Sequence, residues 1–224
     1  MSTRSRLAVL ASCVVVLALA VAGYAALRPS PPTAPTSGTV RLGPEAGEDV
    51  AGYLARLPGG LPPDGVRVHA LVQLSEPATP PDALAAVAGT APSTVVFRVP
   101  IARVQTAQRF VDVEPDVPVA AALANAQGRA EQAAAADAGR LADRAGAVAR
   151  AEASALASPG CRCVLAVLVE GDGAALRAVA ARAGVRAVDA APPGTVAPAL
   201  SPLLPEQTVR ADPPPDDGPV PTGP

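Results

Sequence analysis

The chain has 224 residues, a formal net charge of −2, and 18 basic residues that are all arginine. A near-neutral chain of this kind carries no electrostatic footprint for a nucleic-acid partner. The absence of lysine excludes Schiff-base and P-loop chemistry, and a single histidine excludes a histidine-built catalytic zinc centre.

Half of the residues are apolar, but only 2% are aromatic and there is no Trp. The predicted core is therefore built from Val, Leu and Ala. The length leaves room for one domain of ordinary size after terminal segments are set aside.

Residues 7–27 hold no charged side chain and are bracketed by Arg6 and Arg28. A bilayer core about 30 Å thick requires roughly 20 apolar residues as a helix, which this run supplies. Three assignments compete. One is an uncleaved transmembrane signal-anchor. Another is a cleaved signal, with small-residue sites at Ala20-Val21-Ala22 and Gly23-Tyr24-Ala25. The third is a lipoprotein signal at Leu10-Ala11-Ser12-Cys13. The apolar run exceeds the 7–15 residues of a secretory h-region, which favours the anchor. Arg4, Arg6 and the amino terminus precede the helix, whereas only Arg28 closely follows it. The positive-inside rule then sets the N-terminus in the cytoplasm and the remaining chain outside. Residues 1–6 form a cytoplasmic tail too short to fold. Residues 28–44 are a Pro-rich spacer of extended character.

Residues 45–191 carry the patterning of an extracytoplasmic α+β domain. A short helix is expected over 45–56, then turn material over 57–65. Val66, Val68, Ala70, Val72 and Leu74 alternate with more polar neighbours, the period of a strand. A short helix over 82–88 is stopped by Gly89, and residues 94–99 form a second strand. Residues 107–113 read as a third, less regular strand. Asp116 is an expected N-cap, with Pro118 in the first turn. From 117 to 157 the chain is Ala-rich and reads as one long helix of about 60 Å, with Gly128, Gly139 and Gly146 as weak points. Two roles are open to it: packing flat on a sheet through alanines, or projecting to form a dimer along Leu141, Ala145, Val148, Glu152 and Ala155.

Residues 161–169 form a nearly continuous apolar strand, as expected of a central strand covered on both faces. A helix over 174–183 and a strand over 185–190 follow. Residues 192–224 are Pro-rich and expected to be largely disordered. The helices share a phrase: Ala83-Leu84-x-Ala86-Val87-Ala88 matches Ala175-Leu176-x-Ala178-Val179-Ala180. Two βαβ units therefore emerge. The expected fold is a ferredoxin-like βαβ + βαβ sandwich, with the long Ala-rich helix between its halves.

No catalytic constellation is found. His69 lies on the less apolar face of the first strand without a nucleophile motif and reads as a rim histidine. No G-x-S-x-G occurs. Gly171-Asp172-Gly173 lies between strand and helix, but Leu176 stands where a dinucleotide fingerprint needs its third glycine, so a tight turn with a helix cap is expected. Asp112, Glu114 and Asp116 supply oxygen donors but lack a calcium loop. They read as acidic residues at a helix N-terminus. No cofactor and no metal is expected.

Cys161 and Cys163 are the candidate disulfide. Residues two apart in a straight strand have Cα atoms roughly 6.6 Å apart, at the upper edge of the tolerated range. A bridge thus requires a bent backbone, which Pro159-Gly160 can provide. Two buried free thiols are the competing arrangement.

The expected function is that of a non-catalytic, single-pass, membrane-anchored binding module of the cell envelope. Its partner would be an envelope protein or component, or a second copy. Two alternatives are a thiol–disulfide protein using Cys161 and Cys163, and an envelope spacer that oligomerises through the long helix.

Overall fold

The computed structural model describes residues 40–221. The expected anchor at 7–27, Cys13 and most of the spacer lie outside the described residues. Among the described residues, no helix is long and apolar enough to cross a membrane.

The elements run β1 (Arg41–Leu42), α1 (Val50–Arg56), a 3-10 turn (Leu57–Gly60), β2 (Val68–Ala78), α2 (Pro80–Ala86) and β3 (Ala91–Phe97). They continue with β4 (Arg109–Asp112), α3 (Val119–Arg140), α4 (Asp143–Leu156), β5 (Val164–Gly171), α5 (Gly173–Ala180), β6 (Val185–Ala190) and β7 (Ala199–Leu200). The architecture is α+β: a five-stranded antiparallel sheet in the order β4-β3-β5-β2-β6, with five helices among the described residues. Helices α2 and α5 make the crossovers β2–α2–β3 and β5–α5–β6.

Period-two alternation sends Val68, Ala70, Val72 and Leu74 of β2 to the helix-covered face. There they join Val95, Phe97, Val167 and Val169, and Ala83, Leu123, Leu156 and Leu176 from the helices. Leu71, Val96, Leu165 and Leu168 face the other way. Strand β5 is central and apolar on both faces because both faces are covered. Thr79 caps α2 by accepting from the Asp82 amide, with Pro80 at the first helical position, where a missing N–H is harmless.

The Ala-rich stretch is not one helix. It breaks after Arg140: Leu141 and Ala142 are extended, and Asp143 adopts a left-handed φ of 50°. The close turn relies on Gly146, where a Cβ would lie 2.4 Å from the Leu141 carbonyl oxygen. Helices α3 and α4 then pack on each other. Ala122, Ala126, Ala130 and Ala134, spaced by four, form a fully buried stripe, and Ala126, Ala130 and Ala134 belong to the main core. Alanine packing, rather than a projecting seam, is what this stretch does in the fold. Nor does Asp116 cap α3; Pro118 occupies the N-cap position, without a side-chain cap.

The expected disorder of residues 192–224 is also corrected for the described part. Strand β7 pairs in parallel with β1, Leu42 opposite Leu200. Leu203 and Leu204 are buried. The Val50 amide donates to the Val209 carbonyl at 3.0 Å, and the Ala211 amide to the Glu48 carbonyl at 2.9 Å. Proline cannot donate to such pairings, but the residues between the prolines can. This segment, with β1 and α1, covers the second face of the sheet, and residues 40–44 belong to the fold rather than to a spacer.

Candidate functional site

Cys161 and Cys163 are joined by a disulfide with a Cα–Cα distance of 5.3 Å. Both precede β5 instead of lying in it. The Cys161 amide donates to the Ser158 carbonyl at 3.0 Å, a turn that brings the pair closer than a straight strand would. Cys163 is fully buried and Cys161 is 8% exposed, so an incoming thiolate has little access.

Asp172 caps α5, its carboxylate accepting from the Ala175 amide at 2.9 Å. Gly173 has a packing reason: a Cβ there would lie 2.0 Å from the Pro62 carbonyl oxygen. Asp112 accepts from the Thr94 hydroxyl. Glu114 is held by Asn125 and Arg129, and the Asn125 amide, then Arg129, keep its carboxyl below the usual range. Asp116 is exposed. The structure does not converge these three acids on one point. His69 is half-buried on β2, and its Nδ1 is buried without a hydrogen-bond partner among the described residues.

Two buried polar networks have long-range partners that the sequence does not reveal. In the first, Arg109 of β4 donates to Asp137 of α3 at 2.9 Å and to Glu152 of α4 at 2.6 Å. Glu152 also accepts from the Ala107 amide at 2.7 Å. This network joins strand and helix pair. In the second, the Gln73 amide donates to the Tyr53 hydroxyl at 2.6 Å, and the Gln73 carbonyl oxygen accepts from the Leu203 amide at 2.7 Å. That network holds α1 and the C-terminal segment on the sheet. Both serve the fold.

The open surface lies around α2. A seven-residue helix is about 10 Å long and the 22-residue α3 beside it about 33 Å, so α2 leaves space uncovered on either side. One cleft, of ≈ 650 Å³, is lined by Pro80, Leu84, Leu123, Gln127, Leu156 and Pro159 among others. A second, of ≈ 890 Å³, is lined by Leu84, Val87, Pro92, Val113, Pro115 and Val117 among others. Pro81 and Leu84 border both. The sequence repeat makes Leu84 informative. Its counterpart Leu176 is fully buried, whereas Leu84 is only half-buried. One half of the repeat covers this leucine and the other leaves it as a ridge between two clefts. Glu131 lines the first cleft and Glu114 the second. The repeated phrase, compared position by position, was the available signal; the sequence could not show that α2 is the shorter neighbour.

No protein-family model, no curated protein and no solved structure matches the chain.

Proposed function

We propose that this protein is a single-pass, membrane-tethered, extracytoplasmic binding module of the cell envelope, non-catalytic, with a ferredoxin-like domain. The clefts beside α2 receive an apolar segment of a partner protein flanked by basic residues. The observation that carries this reading is the uncovered Leu84 ridge between two apolar clefts, where the matching Leu176 is core. Surface apolar patches of this kind mark interaction sites more often than solitary exposed side chains do. At the first cleft Glu131, which makes no ion pair among the described residues, complements a basic flank, whereas Glu114 at the second is already paired with Arg129.

The ferredoxin-like assignment is supported by the strand order. Numbered within the two crossovers, the order β3-β5-β2-β6 is second, third, first, fourth, with neighbours antiparallel, and β4, α3 and α4 are inserted between the halves. The tether is supported by the uncharged run at 7–27 and its arginine bracket. Two experiments test the proposal. Carbonate extraction of membranes should leave the full chain in the pellet, and release into the supernatant would remove the tether. Displayed-peptide selection on the full chain in detergent should enrich apolar peptides with adjacent Arg or Lys; enrichment of acidic or fully polar peptides would overturn the binding assignment.

A further inference from the structure

A different hollow, on the face of the sheet covered by β1, α1 and the segment after β6, has the opposite character. Its volume is ≈ 300 Å³, at the small end of ligand sites, and its lining includes Arg41, Arg98, Gln105, Gln108 and Ser201 but no Asp or Glu. Arg98 follows β3 and is only 5% exposed. Among the described residues its guanidinium has one ion-pair partner, Glu206 at 2.6 Å. Arg41 makes no ion pair among the described residues. A buried guanidinium with five donors and a single carboxylate partner has hydrogen-bonding capacity left over, and Arg98 lines this hollow. It also lines a neighbouring one of ≈ 490 Å³, whose other walls are mainly apolar, Pro100, Ile101, Val104 and Pro215 among them, with Arg103 and Glu206 at its edge.

We propose that this double hollow binds a small aliphatic monocarboxylate. Its carboxylate lies between Arg41 and Arg98, and its hydrocarbon part lies against Ile101 and Val104. Charge decides the class. Glu206 faces both Arg98 and Arg186, so Arg41 and Arg98 leave the hollow positive for an anion, while the Glu206 carboxylate beside it repels the second charge of a phosphate dianion. Guanidinium forks suit planar carboxylates through paired hydrogen bonds. The second hollow gives an apolar chain a place that inorganic ions do not use. The site is independent of the clefts beside α2.

Titration of the full chain in detergent micelles, with 15N-labelled arginine and constant ionic strength, tests this using acetate, butyrate and inorganic phosphate as probes. Butyrate should shift the Arg41 and Arg98 Nε–H resonances saturably and bind about tenfold tighter than acetate. Arg41→Gln lies on an exposed residue and should keep the fold while weakening butyrate about tenfold. The proposal is overturned by shifts that do not saturate, by equal affinity for acetate and butyrate, by an unaffected Arg41→Gln variant, or by phosphate binding more tightly than butyrate.

Discussion

The Tyr53 hydroxyl donates a hydrogen bond to Oδ2 of Asp189 at 3.0 Å, across 136 positions of sequence. Tyr53 is fully buried, and the same hydroxyl accepts from Gln73. Tyr53→Phe leaves the Gln73 amide without that acceptor inside the fold. A loss of about 1–3 kcal/mol is expected in denaturant unfolding, and an unchanged midpoint would show that the network contributes nothing.

Burial pushes the Asp189 carboxyl above its ordinary value, against the lowering influence of the Gly43 amide and the Tyr53 hydroxyl. The folded state therefore holds the Asp189 proton more tightly than the unfolded chain does. Stability from this group is fully present below the unfolded value of about 3.9 and is lost as pH rises through the raised folded value. Asp189→Asn keeps an acceptor oxygen and removes the titration. Its stability profile should lack the decline that wild type shows over that window, and parallel profiles would contradict the assignment.

Glu152 is a nearly buried carboxylate facing a nearly buried guanidinium. Glu152→Ala strands part of Arg109 and removes the acceptor of the Ala107 amide, at an expected cost of about 3 kcal/mol. Arg109→Leu combined with Glu152→Leu should cost less than Glu152→Ala alone, because no uncompensated charge is left inside. Thermal unfolding of the three proteins decides the order.

Gly146 distinguishes two helices from one. In a continuous helix, Gly146→Ala would stabilise by about 1 kcal/mol. Here the new Cβ meets the Leu141 carbonyl, so the substitution should destabilise, and the sign of the change in chemical denaturation is the readout.

Removing residues 208–224 takes away four backbone pairings, Val50 to Val209, Ala211 to Glu48, Gly47 to Ala211 and Gly218 to Arg103. At about 0.5–1.5 kcal/mol each, the expected loss is about 2–6 kcal/mol. That corresponds to roughly 2–4 °C of Tm per kcal/mol for a domain of this size. A truncated chain with the wild-type Tm would restore the expectation of a free tail.

Local patterns were legible and long-range partners were not. Strand β6 falls at 185–190, the span expected from the sequence, and the apolar run of β5 announced a central strand. The break between α3 and α4 was hidden because alanine carries the same helical propensity on both sides of Leu141. What enforces it is tertiary: the Arg109 ion pairs and the room at Gly146. The C-terminal segment was misread because frequent prolines outweighed Leu203, Leu204 and Ala211, isolated apolar residues whose burial depends on β1 and α1. Of the candidate site, Leu84 was visible as part of a repeat but not as its uncovered member. Arg98 gave no sign of its burial, since it follows β3 in a run that reads as ordinary strand exit.

The most direct measurement of the central claim is the affinity of a selected apolar, basic-flanked peptide for the full chain and for Leu84→Arg, by calorimetric titration in detergent, with circular dichroism confirming that the variant is folded. A charged side chain on the ridge between the clefts should weaken binding by at least about tenfold, the equivalent of about 1.4 kcal/mol. Glu131→Gln should weaken it less, as expected of a rim charge. Equal affinity of wild type and a folded Leu84→Arg variant would contradict the account.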